Sequence, residues 1–480
     1  MTIRTETPQT RCRVGFARAD ITPPVGIYHR MWGAALHDRA TGVHQPLTAT
    51  ALWLESLDGS QRRLILGLDH CLLDPEEFER IRRSAGSAAR ISSDAVHVAM
   101  SHTHGSAWMS RSRSHLPGGD LIGPYLDEMA DKCGRIAKEA AASACSATII
   151  YASGRCSLAA HRNFRDPMTK QIVCGFNPDG PADDAVTVAK AVGDNGRTLG
   201  TIVNYACHPT TLAWENTLIS PDYVGAMREV IEEQFSGPCL FLQGSSADLG
   251  PREGYVGDPA VADRNGRQLG FAALSALESM PPPATTFEYA GAVVSGAILG
   301  SWRHERATDQ FTANAKTFRT LNARVPLQYR MELPTEAETR SELAKWEAEE
   351  ATARAASDLG RVSECRARCE QMTRQLARLA ALPPGNAYPL PISVLRVGHA
   401  LWVFTAGELD QVFQRSLRER FAPLAVIVAT ITNDWQPGYI PSAATYGYGI
   451  YQESISAVAP GSLESLIESV TRHIEAMIER

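Results

Sequence analysis

Short apolar runs, each closing on a cluster of polar residues and followed by turn signals or a helix, recur along this chain. They lie at Val96 to His104, Thr201 to His208, Cys239 to Asp248, Leu401 to Glu408 and Val426 to Asp434. Two further runs, Ala49 to Leu54 and Leu64 to Leu68, come earlier, and the second ends at Asp69, His70 and Asp74. Apolar runs of this length between turn residues read as buried strands. Pro75-Glu76-Glu77-Phe78-Glu79-Arg80-Ile81 then reads as a helix with Asp74 as its cap and Pro75 in its first turn. Strand, polar residues and helix in repeated succession predict an α/β fold of mixed β-sheets flanked by helices, its polar strand ends converging on a crevice.

One stretch departs from this pattern. Between about Glu332 and Leu382, Ala, Glu and Arg dominate and β-branched residues are few, which predicts a helical hairpin of Glu336 to Ala355 and Ser363 to Ala380, broken at Gly360 and ended by Pro383-Pro384-Gly385. Residues 1–480 therefore read as one domain carrying residues 332–382 as an insertion. That insertion is expected to be a solvated structural element in preference to a lid or a subunit contact.

Composition narrows the function classes. Hydrophobic residues make up 44% and charged residues 21% of the 480, the balance of a globular protein with a sizeable core. With a net charge of -6 and no dense block of Lys and Arg interleaved with aromatics, nucleic acid is not expected as a partner. No apolar stretch reaches the roughly 20 residues of a bilayer crossing, so membrane insertion is not expected either. The amino terminus, Met1 to Phe16, has no apolar secretory segment, and a cytoplasmic enzyme is the expectation. Ten cysteines lie scattered without CxxC spacing and read as buried thiols.

The candidate chemistry sits at the strand ends. Ser101-His102-Thr103-His104 follows Val96 to Met100 directly. If the extended conformation continues through the motif, both imidazoles project to one side, and one can bind a metal while the other handles protons. His208 follows a second strand and Glu408 a third, so two nitrogens and one anionic oxygen can meet a single ion. Near the carboxyl end, Thr432 to Pro441 and Tyr446, Tyr448 and Tyr451 form an aromatic segment rich in Gly and Pro, as binding loops are. A tyrosine there can ligate a cation or donate a hydrogen bond to a developing oxyanion, and spacing does not choose between these roles.

Seven blocks in order resemble the neutral, non-lysosomal ceramidase superfamily of zinc-dependent amidases. They are Gly15 to Pro24, Ser101 to Gly105, Asn204 to Thr210, Asn216 to Asp222, Gln243 to Pro251, Ala406 to Glu408, and Thr432 to Asp434 with Gly438-Tyr439. The resemblance implies that fold and one zinc held by His102, His208, Glu408 and Tyr439. It also implies His104 as the proton-transfer residue, Tyr451 as a donor to the amide oxygen, and Arg162, with Arg165 in reserve, as a contact to the reacting group. The chain resembles a short member without the further β-sandwich domain. With no export signal and with Trp108 adding bulk beside the site, the expected substrate is a small soluble N-acyl or related amide, ahead of ceramide; hydrolysis of an ester, lactone or cyclic amide is the alternative. A metal-stabilised binding module that has lost its chemistry is a more remote one. Ser246 and Asp248 are expected to line the pocket; Arg111 or Arg113 can meet a substrate carboxylate or phosphate, although their polar segment reads first as a solvated loop. The sequence also leaves room for a homo-oligomer.

Overall fold

A computed structural model describes residues 3–479. Its largest sheet has eight strands: β1 (Gln9–Asp20), β2 (Thr48–Glu55), β3 (Arg62–Leu68), β4 (Val96–Met100), β5 (Cys145–Arg155), β6 (Ala185–Gly193), β7 (Thr198–Tyr205) and β8 (Cys239–Gln243). Their spatial order is β8-β7-β6-β5-β1-β2-β3-β4, antiparallel except for the two outer pairs, β7 with β8 and β3 with β4, which are parallel. A second sheet orders β9 (Phe318–Gln328), β10 (Ala387–Val397), β11 (Ala400–Thr405) and β12 (Ala425–Ala429), of which β11 and β12 are parallel. These are the mixed sheets the apolar runs predict.

The sheets face each other across an apolar layer in which Leu52, Ile65 and Leu242 meet Trp402, Phe404 and Ile427. Strands covered on both faces have no solvent side, which is why β3, β4 and β8 read as continuous apolar runs. The large sheet curls until its edge strands β4 and β8 approach one another. Gly67 in β3 permits this, because a Cβ there would lie 2.4 Å from Leu240 Cδ1 of β8. Helices α1 (Pro75–Ala89) and α2 (Ile122–Ala142) cover one part of the outer face through Phe78, Leu126 and Met129. Helices α3 (Tyr223–Gln234) and α4 (Pro259–Glu278) cover the other through Met227 and Leu269.

The hairpin forms as helices α5 (Glu336–Ala355) and α6 (Leu359–Ala381), opened by a capping box between Thr335 and Glu338. The break falls at Ser357, whose φ is 55°, and Gly360 lies inside α6. The two helices differ in environment. Helix α5 is largely solvated, as expected, but α6 lies against the loop of residues 28–38, with Arg366 bonding Asp38 at 2.7 Å and Ser363 bonding the Ala34 carbonyl. Its buried face carries Glu370 and Arg378, so half of the insertion is a wall of the interior rather than a solvated appendage. Among the described residues, no helix is long and apolar enough to cross a membrane.

The topology brings three parallel strand pairs to one place. Beyond β3 and β4, Ser101 N donates to Leu68 O and His102 N to His70 O. Beyond β7 and β8, Gly244 N donates to Tyr205 O; beyond β11 and β12, Thr432 N donates to Thr405 O. Thr430 N to Gln243 O and Asn433 N to Val98 O then join the three ends. Carboxyl ends of parallel strands form the crevice in α/β sheets, and here three of them share one.

Candidate metal centre

His102 leaves β4, His208 leaves β7 and Glu408 follows β11. The extended conformation does not continue through the histidine pair: His102 has φ 67°, and His104 opens a single 3-10 turn capped by the Thr103 hydroxyl. Both imidazoles nevertheless reach the same chamber, their rings 5.0 Å apart and nearly perpendicular. A left-handed conformation at a non-glycine residue costs energy and persists where the surroundings demand it. Gly105 follows because the turn presses on its neighbour, and a Cβ there would sit 2.6 Å from the Ser220 carbonyl oxygen.

His102 Nδ1 lies 3.1 Å from the Cys71 carbonyl, and His208 Nδ1 lies 3.1 Å from the Ser246 carbonyl. A carbonyl only accepts, so each Nδ1 carries a proton and each Nε2 faces inward. The two Nε2 atoms are 3.0 Å apart, and Glu408 Oε2 stands 3.4 Å from each. Three such atoms need a positive centre between them. Ligands on a tetrahedral zinc at bond lengths near 2.05 Å are separated by about 3.3 Å. His102, His208 and Glu408 therefore form a cluster compatible with a divalent metal such as Zn2+. Cys71, His102 and His104 make a second grouping. There Cys71 Sγ approaches His102 at Nδ1, 3.6 Å away, the nitrogen already bound to a carbonyl.

The electrostatics show the same demand for positive charge. Burial lowers the pKa of His102, but Cys71 and Glu408 outweigh it and hold the group well above its ordinary value. For Glu408 burial raises the pKa, and His102 then brings it below the usual range, so the carboxylate is ionised. Burial holds His208 and His104 well below the ordinary histidine value, with Arg162 and His102 adding to the effect. Both ring nitrogens of His104 lack a protein partner.

Tyr439 is the register partner of Glu408 in a two-residue parallel ladder, Glu408–Leu409 with Tyr439–Ile440, and its ring lies 6.4 Å from that of His208. Arg162 is buried, its guanidinium 5.4 Å from the Tyr439 ring centroid, whereas Arg165 is exposed three residues on. Tyr451 stands at the mouth of the same chamber, 43% exposed, with its ring 5.7 Å from that of Tyr439. Trp108 lines the inner part of the chamber.

The remaining sequence-derived pocket residues lie elsewhere. Arg111 turns outward to Glu77 and Asp127, each at 2.6 Å, and Arg113 is buried against Glu370 and Tyr28. Acidic partners on α1, α2 and α6 hold them, which a reading of the local loop cannot foresee. Ser246 orients His208 through its carbonyl and accepts from Gln243 at Oγ. Asp248 accepts from Gln411 N and Nε2 and, through its carbonyl, from Arg162 N, so both support the chamber from behind. Helix α6 supplies what the sequence reading passed over: Glu370, Arg374 and Arg378, four residues apart on one face, all line the chamber. That spacing is the signal by which they could have been found.

No family model matches the chain, and no curated protein matches it in sequence. Among solved structures, the neutral ceramidase from Pseudomonas aeruginosa matches with a TM-score of 0.65 at 16% identity, over 97% of this chain and 74% of that one. A ceramidase complexed with C2 matches with a TM-score of 0.65 at 15% identity, over 96% and 74%. The chain thus has a ceramidase-like mixed α/β fold at low identity.

Proposed function

We propose that this chain is a zinc-dependent hydrolase that cleaves a small amide by activated water. The observation that carries the reading is the inward-facing trio of His102 Nε2, His208 Nε2 and Glu408 Oε2, within 3.4 Å of one another, with both imidazoles held from behind by carbonyls. The likeness in fold to ceramidases supports it and suggests the amide. Tyr439, beside Glu408 in the ladder, is the proposed fourth ligand. A zinc ion so held supplies Lewis acidity, polarising a carbonyl and lowering the pKa of a water toward neutrality.

The other residues have separate tasks. His104, kept neutral by burial, accepts the proton of the attacking water and returns it to the departing amine. Tyr451, a phenol and so protonated at neutral pH, donates a hydrogen bond to the substrate oxygen as that oxygen gains charge. Arg162, with Nε and Nη2 unpartnered, adds a second donor. The accessible chamber is a cavity of about 650 Å³ whose walls mix aromatic rings with guanidinium groups. It is the size of a site for a small ligand.

Parallel assays with matched amide and ester substrates on zinc-loaded protein test the reaction class. The expected result is turnover of the amide that is lost on chelation and restored by zinc; turnover of the ester alone would overturn the amide assignment. For Tyr451→Phe, kcat is expected to fall by about 100-fold with KM little changed, since the donor acts on charge that develops in the transition state. Steady-state kinetics check this, and a rise in KM alone would place Tyr451 in ground-state binding.

A further inference from the structure

We propose that the substrate of this site carries a carboxylate, and that Arg378 on α6 receives it. The inference rests on reading the chamber as a hydrolase pocket and names the class of molecule that enters it.

Counting charge around the chamber leads to Arg378. Arg113 and Arg374 share a single carboxylate: Glu370 accepts from Arg113 Nη2 at 2.7 Å and from Arg374 Nε at 2.7 Å. Arg162 and Arg378 pair with no carboxylate, so the guanidinium groups lining the chamber, those of Arg162, Arg374 and Arg378 with Arg368 at its exposed rim, outnumber its carboxylates, Glu370 and Glu408. A divalent ion at the histidines widens the excess. Arg162 has a task at the reacting oxygen. Arg378 has none inside the protein.

Arg378 is only 6% exposed, its Nε has no hydrogen-bond partner, and its one side-chain partner is the neutral amide of Gln375. It lines the chamber with Glu408, Tyr439 and Tyr451, and its Cδ passes so near Gly438 that a Cβ there would lie 3.7 Å away. An unpaired guanidinium held this deep in the protein is destabilising unless an anion reaches it. Burial accordingly lowers its pKa to about 10. The planar fork of arginine matches a carboxylate in particular, and α6 aims it into the same chamber as the metal ligands. The substrate class is therefore an amide with a free carboxylate within reach of the scissile bond, of which short N-acyl amino acids are the simplest. An uncharged lipid amide would leave Arg378 unanswered.

The test compares a short N-acyl amino acid with its neutral methylamide counterpart on the zinc-loaded full chain. Wild type is expected to favour the acid in kcat/KM by at least about tenfold, and Arg378→Met to reduce that ratio by about 10- to 100-fold, chiefly through KM. Arg378→Lys, which keeps the charge but loses the fork, is expected to fall between them. Thermal unfolding of Arg378→Met should occur at or above the wild-type midpoint, since an unpaired charge has been removed. Calorimetric titration of the zinc-loaded His104→Ala protein with both ligands gives a readout independent of turnover, with tighter binding of the acid expected, and lost when Arg378→Met is added. Binding of the acid that depends on Arg378, with neither ligand hydrolysed, would support the anionic pocket while removing the amidase reading. Hydrolysis of both ligands with equal kcat/KM, or a preference unchanged in Arg378→Met, would overturn the inference and leave the amidase reading standing.

Discussion

Glu408→Gln is expected to weaken zinc binding and lower turnover by at least about 100-fold, the upper end of what loss of even an outer-sphere partner does at a metal site. The substitution keeps the shape of the side chain and removes its charge. Glu408 Oε2 has no hydrogen-bond partner in the protein, and His102 Nε2 and His208 Nε2 each stand 3.4 Å from it. An ionised carboxylate buried to 8% exposure, with this oxygen lacking a hydrogen-bond partner, is stabilised by the positive centre it faces. The metal-free variant should therefore unfold close to the wild-type midpoint, while the gain in midpoint that wild type shows on adding zinc is lost. Competition against a chelator of known affinity, together with thermal unfolding with and without zinc, measures both. Unchanged zinc affinity in Glu408→Gln would remove this oxygen from the ligand set.

Glu370→Gln is expected to cost about 3 kcal/mol of unfolding free energy at pH 7. Glu370 is 8% exposed and is the single carboxylate between Arg113 and Arg374, so its neutralisation leaves two enclosed guanidinium groups without an anion, a change typically worth ~3–5 kcal/mol. Burial raises its pKa, and Arg374 and Arg113 outweigh burial and bring it from 4.5 to about 2. At ~1.4 kcal/mol per unit that shift alone corresponds to about 3 kcal/mol. The folded value is depressed, so the stabilisation is fully present above the unfolded value near 4.5 and is lost as pH falls through about 2. Urea unfolding of both proteins at pH 7 and pH 3 should show the gap shrinking to roughly half. A gap independent of pH would mean that the loss comes from packing.

These two residues also mark how far the sequence could be read. The strand ends were legible because apolar runs buried between two layers look alike wherever they occur, and β4, β7, β8, β11 and β12 all formed where such runs lie. His102, His208 and Glu408 could be nominated because each follows such a run, but only the joining of three parallel pairs brings them together. The conformation of the histidine pair was not legible. Continued extension would set both rings on one face, whereas a left-handed His102 and a 3-10 turn achieve the convergence instead. The α6 wall was missed for a different reason. Its Ala, Glu and Arg content matches that of a solvated helix such as α5, and only tertiary contact distinguishes charges that face water from charges that pair inside. Arg111 and Arg113 failed in the same way, since their acidic partners come from helices distant in sequence.

Anomalous diffraction at the zinc edge from crystals of the zinc-loaded protein tests the central claim most directly. One peak per chain is expected, about 2.0–2.2 Å from His102 Nε2, His208 Nε2 and a Glu408 oxygen. A peak beside Cys71 and His104 that leaves Glu408 without a contact, or crystals of fully active protein with no peak, would contradict it.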